Sequence, residues 1–282
     1  MAPTFAPKTE KKCPEPDKCT NVSAIRKWNS KRPSRFTSNV VKVLVGENEE
    51  AFTVHEGHLT STSDLFHRML HGGGAEFKER IEGVVKLPEC SPETFSQYME
   101  YLYFGHLFTN TTEDKLHYAE HMHGEMFNDV VADESNKEYA MLCELIAFGD
   151  YVQDDDLYNA AIEAFIDVHN VWGGIPKPAI VTTAYQKLEA GSSFIRLLQD
   201  IYVDDRVMDA MFAVNNYTED NVPPNLAGFW FNVALKRTKY MDSSNPRTCP
   251  WKKDSCQYHR HKDAEKCEAK VNENEISGVI KT

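Results

Sequence analysis

No apolar run in this sequence approaches the roughly 20 residues that a helical membrane span needs, and the first residues lack the apolar core of a secretory signal. An intracellular address, nuclear or cytoplasmic or both, is therefore expected, with no membrane partner. Basic charge is in deficit: 31 Lys and Arg stand against 43 Asp and Glu, a formal charge of −12. That balance repels phosphate backbones, so nucleic acid is not expected as a partner. A local basic stretch at Arg26-Lys27, Lys31-Arg32 and Arg35 reads as a solubilising lead, with a nuclear-import signal as the alternative. Paired cysteines are missing too. Seven thiols, five of them in the two tails, do not make a disulfide framework in a reducing compartment.

Signatures of catalysis are equally scarce. There is no serine nucleophile elbow and no Gly-x-Gly-x-x-Gly fingerprint, and Gly72-Gly73-Gly74 is not followed by the Lys-Ser/Thr pair of a phosphate loop. His117-x-x-Glu120-His121 formally matches the inverted zinc-protease signature, which makes a zinc-dependent hydrolase the alternative reading from another class. The pattern is short and sits in a polar stretch, so a solvated helix face is the better expectation. An enzyme is not expected.

What the sequence does have is pattern. With 41% hydrophobic residues it can furnish an ordinary core. Residues 1–35 are Pro- and Lys-rich and are read as a disordered lead. Val40, Val41, Val43 and Val45, then Phe52 and Val54 beyond the acidic turn Gly46-Glu47-Asn48-Glu49-Glu50, predict a β-hairpin. A helix capped by Thr60 or Ser61 and carrying Leu65, Phe66, Met69 and Leu70 should follow, then a strand at Val84–Leu87 stopped by Pro88, and an aromatic helix from Phe95 to Tyr103. A further helix pair is expected at Tyr139–Phe148 and Leu157–Ile166, joined by the acidic turn Asp154-Asp155-Asp156.

The run from Phe52 to Phe66 fits F-x-V-H-K/R-x-x-L-x-x-x-S-x-x-F except at Glu56. Leu87-Pro88, Pro92-Glu-Thr-Phe95 and Tyr101-Leu-Tyr-Phe-Gly105 fit a matching downstream series. This ordered set resembles the BTB/POZ domain, an α+β fold with a small mixed sheet and a helical cluster. On that resemblance the domain spans 36–168, with a polar insertion at about 106–137. A helical extension over 176–241 is similar to those of many fungal BTB proteins, and a flexible tail containing Cys and His covers 242–282.

The resemblance implies a non-enzymatic interaction module and a homodimer, with Leu65, Phe66 and Met69 at the dimer surface. It also implies a substrate adaptor for a cullin ubiquitin ligase, docking through Phe95, Gln97, Tyr98 and Tyr101 and the segment 139–148, and carrying an unidentified protein substrate. The alternative within the binding class is a nuclear scaffold or transcription-associated dimer. Two departures stand out. Phe95-Ser96-Gln97 places glutamine where cullin-binding relatives carry an acid. Asn39 and Glu56 replace the acidic and basic residues of co-repressor binders.

The tail spells C-x6-C-x2-H-x-H-x5-C through Cys249, Cys256, His259, His261 and Cys267. Thiolate and imidazole are the donors that tetrahedral zinc favours, so one structural zinc is the candidate cofactor. The alternative is a flexible end in which the donors never meet. Cys13 and Cys19 could pair or ligate, but two thiols specify nothing.

Overall fold

A computed structural model describes residues 35–72, 83–109, 117, 125–172, 175–203, 226–241 and 249–261. Strand β1 (Val40–Val45) turns Val41, Val43 and Val45 into the core and leaves Val40 and Lys42 outside, as a period of two requires. Strand β2 (Glu50–His55) returns antiparallel beside it, with Val41 opposite Val54 and Val43 opposite Phe52. Strand β3 (Val84–Leu87) lies parallel on the other flank of β1, pairing Val43 with Val85 and Val45 with Leu87. The order β2-β1-β3 makes a small mixed sheet, the α+β arrangement that the sequence pattern predicts. Parallel pairing needs a crossover, and α1 (Glu56–Thr62) and α2 (Asp64–His71) lie on that path.

The cap between these two helices is Ser63, not Thr60 or Ser61. Ser63 has extended backbone (φ −92°, ψ 120°), and its hydroxyl accepts from the Phe66 N–H at 3.1 Å while donating to the Val152 carbonyl at 2.5 Å. Thr60 and Ser61 lie inside α1, where their hydroxyls donate to the carbonyls of Glu56 and His58. One serine thus starts α2 and ties it to the end of a helix far along the chain.

Helix α3 (Pro92–Phe104) opens with a Ser91 cap and a proline in its first turn, and closes at Gly105 with φ 78°, a left-handed conformation natural to glycine. Phe95, Tyr98 and Leu102 form its buried stripe. Helices α4 (Glu125–Val152) and α5 (Asp155–Trp172) form an antiparallel pair across a two-residue turn. They approach closely at Gly149, where a Cβ would sit 3.1 Å from the Tyr158 nitrogen. Helix α4 begins well before Tyr139, so its first half occupies part of the stretch read as an insertion. The pair Lys137–Asp133 at 2.8 Å, four residues apart, supports that exposed turn.

Helices α6 (Pro178–Lys187), α7 (Ser193–Tyr202) and α8 (Ala227–Met241) fall within 176–241. They do not build a core of their own. Buried side chains from the sheet through α8 form one continuous cluster, with Phe165 and Phe194 rings 5.0 Å apart across α5 and α7, and Tyr202 and Phe229 5.5 Å apart across α7 and α8. The short α9 (Pro250–Lys253) and a 3-10 turn at Ser255–Tyr258 complete the described chain. Among the described residues, no helix is long and apolar enough to cross a membrane.

Candidate functional site

Of the four residues assigned to a cullin-type surface, the structure places three in the core. Phe95 and Tyr98 are fully enclosed and Tyr101 nearly so, because the aromatic stripe of α3 is its inward face. Phe95 meets the rings of Phe52, Tyr98 and Phe148, which joins the sheet to α4 through one side chain. Only Gln97 reaches a surface. It lines a groove of about 590 Å³ whose walls include Phe52 of β2, Pro92 of α3, Met141 and Glu144 of α4 and Ile180 of α6. The Gln97 Oε1 is buried there without a hydrogen-bond donor among the described residues. An acceptor in that state is expected to be matched by water or by a bound donor. Glu50, Glu93 and Glu144 make the groove's charged rim acidic.

Of the expected dimer residues, one is wholly in the core. Phe66 is fully buried, and Leu65 and Met69 are half-buried against the core, so they do not make an open apolar patch. Other large apolar side chains are exposed, Tyr151 on α4, Phe231 and Leu235 on α8, and four more at one end of the domain. Phe36 is 62% exposed, Val40 58%, Phe104 64% and Phe108 52%. Phe36 lies against His55, His58 and Tyr103, so the start of β1 and the end of α3 share one end of the domain. There the Tyr103 hydroxyl accepts from the His55 backbone N–H at 3.1 Å and lies 2.8 Å from His55 Nδ1. The buried His58 stacks on the Tyr103 ring and holds the Leu102 carbonyl at 3.0 Å. Both histidines have structural work.

The Cys/His tail is docked over residues 249–261 and is not a free end there. Tyr258 is buried and donates to Asp200 of α7 at 2.7 Å. The Arg260 backbone N–H donates to Asn159 Oδ1 at 2.8 Å, and the Asn159 amide donates to the Arg260 carbonyl at 2.9 Å. Arg260 also lays its guanidinium 3.8 Å from the Tyr158 ring centroid and pairs with Asp150 at 2.5 Å. Sequence reasoning missed these anchors. The available signal was Trp251 and Tyr258, two large aromatic residues in an otherwise polar stretch, both buried.

Cys256, His259 and His261 come together, with one donor atom from each lying within 4.8 Å of the others. Cys256 Sγ is 3.3 Å from His261 Nε2, and His259 Nε2 is 2.7 Å from a Glu163 carboxylate oxygen. Cys249 stands outside this group. It stands at the N-cap position of α9, with its side chain partly buried against the core. Cys267, Cys13 and Cys19 lie outside the described residues. Of the protease-like motif, His117 is exposed, while Glu120 and His121 also lie outside them.

Two other thiols are buried. Burial pushes Cys90 up to about 12, against the lowering influence of Lys187, and burial likewise pushes Cys143 up to about 12. Both hold their protons at neutral pH and make poor nucleophiles.

Residues 31–137 match the sequence profile of the BTB/POZ domain. The match begins ahead of β1 and ends within α4, so helices α5 to α9 lie beyond it. No curated protein matches the chain.

Proposed function

Because this chain is a BTB/POZ domain protein, of a class that mediates protein–protein interaction, we propose that it is a self-associating adaptor that docks a cullin scaffold of a ubiquitin ligase in the groove between α3, α4 and α6. The groove carries this reading. Its apolar walls at Phe52, Met141 and Ile180 suit a buried side chain of a partner, and the unmatched Gln97 oxygen suits a donor from the same segment. The position is that to which the family resemblance assigns the cullin surface, although the contacts come from the rim of α3 and not from its aromatic stripe. Self-association belongs to the other end of the domain, where Phe36, Val40, Phe104 and Phe108 are exposed.

A titration of a purified cullin N-terminal region into the full chain tests the groove. Met141→Glu puts a charge into its apolar wall and should weaken binding at least about tenfold, since anchors at the centre of an interface carry most of its energy. Gln97→Glu restores the acid of cullin-binding relatives and should strengthen it. Absence of binding by both the parent and Gln97→Glu, or equal binding by Met141→Glu, would exclude this partner at this site.

A further inference from the structure

We infer that Cys256, His259 and His261 form a binding site for one zinc-class divalent ion within the carboxy-terminal segment that packs on α5 and α7. The backbone brings the donors to one side. Cys256 lies in the 3-10 turn, and the chain leaves that turn extended at His259, with φ −82° and ψ 161°. The His259 and His261 ring centroids lie 6.1 Å apart, and a donor of each falls in one group with the Cys256 thiol.

The spacing of the donors fits an ion. Zinc holds sulfur at about 2.3 Å and nitrogen at about 2.0 Å in a tetrahedron, which sets a neighbouring sulfur and nitrogen about 3.5 Å apart. The observed separation of Cys256 Sγ and His261 Nε2 is 3.3 Å, with the His259 donor inside the same 4.8 Å group. Little rearrangement separates this geometry from a coordination shell.

The donors are also positioned by contacts that owe nothing to a metal. Tyr258 is held by Asp200, and Arg260 by Asn159, Asp150 and the Tyr158 ring, so the residues on either side of His259 are fixed. Much of the ordering cost that a flexible tail would bear on binding an ion is thereby met by the fold. The Glu163 carboxylate lies 2.7 Å from His259 Nε2, where it can orient this imidazole with Nδ1 as the nitrogen toward the ion. One thiolate and two imidazoles favour zinc over magnesium or calcium, which prefer oxygen donors.

The test uses the full chain, reduced, stripped with chelator, loaded with zinc or cobalt and desalted. Elemental analysis should find about one zinc per chain, as a single site requires. Cys256→Ser and His261→Ala should each lose most of it, whereas Cys249→Ser should keep it. Cobalt loading should give a thiolate-to-cobalt charge-transfer band in the parent that Cys256→Ser abolishes. Circular dichroism establishes that the variants remain folded. Metal-free parent protein, metal content unchanged by Cys256→Ser and His261→Ala, or loss in Cys249→Ser equal to that in Cys256→Ser would overturn the site. The 3.3 Å contact would then be no more than a thiol–imidazole hydrogen bond.

Discussion

Phe95→Ala is expected to cost the folded chain about 3–5 kcal/mol, the range for emptying an aromatic site in a packed core. Phe95 is fully buried between three rings, with centroids 5.1 Å away at Phe52, 6.0 Å at Tyr98 and 6.2 Å at Phe148. These neighbours belong to β2, α3 and α4, so the cavity would open where three elements meet, and none can collapse into it without leaving the other two. Denaturant unfolding should show a lower midpoint with little change in slope. The sequence reading took the Phe95 stripe as core first, while the family resemblance also assigned Phe95 to a docking surface. Were that so, alanine would weaken a partner while leaving stability within about 1 kcal/mol of the parent, since substitutions on the surface rarely do more.

The second large effect centres on Asp154, in the turn between α4 and α5. Its buried carboxylate accepts the Leu157 N–H at 3.0 Å through Oδ1 and the Tyr98 hydroxyl at 3.2 Å through Oδ2. Asp154→Ala removes a helix cap and leaves a buried tyrosine hydroxyl without that acceptor, a combined cost of about 2–4 kcal/mol. Asp154→Asn keeps an oxygen for the cap and should cost far less.

The two variants also differ in pH dependence. Burial holds the Asp154 carboxyl above its ordinary value, against the lowering effects of the nearby Thr62 hydroxyl and of the hydrogen bonds from the Leu157 N–H and the Tyr98 hydroxyl. The folded state therefore binds this proton more tightly than the unfolded chain does. The resulting stabilisation is fully present below the unfolded value and is lost as pH rises through the folded one. Asparagine has no such proton. The stability of Asp154→Asn relative to the parent should increase as pH rises above the ordinary carboxylate range. A pH-independent difference would mean that the carboxyl is not held above its ordinary value.

Much of this architecture is written in local pattern. Alternating valines specify β1 and the acidic turn before α5 marks the helix pair, whereas the break at Ser63 between α1 and α2 was missed, the stretch being read as one helix capped by Thr60 or Ser61. The first half of α4 was missed because its surroundings are polar and ion-paired, as at Lys137–Asp133, although Met126, Phe127, Val130 and Val131 stand at helical spacing. The three-plus-four spacing of Phe95, Tyr98 and Leu102 marks a helix face, but spacing alone does not say whether that face meets the core or a partner. Burial decides for the core. In the tail, the proximity of Cys256, His259 and His261 followed from a spacing short enough for one turn to set. Cys249 did not join them, since its distance in space depends on α9 and on the packing of Trp251. The groove was invisible to sequence because its walls come from β2, α3, α4 and α6.

An account built on binding stands or falls on association. The most direct measurement is the mass of the intact chain in solution by light scattering, over a concentration range extending to tens of micromolar. The parent should have the mass of two copies, and Phe104→Asp combined with Phe108→Asp should have the mass of one while keeping the same circular dichroism. A one-copy mass for the parent throughout, or a two-copy mass that the paired aspartates leave unchanged, would contradict self-association through the exposed end of β1 and α3.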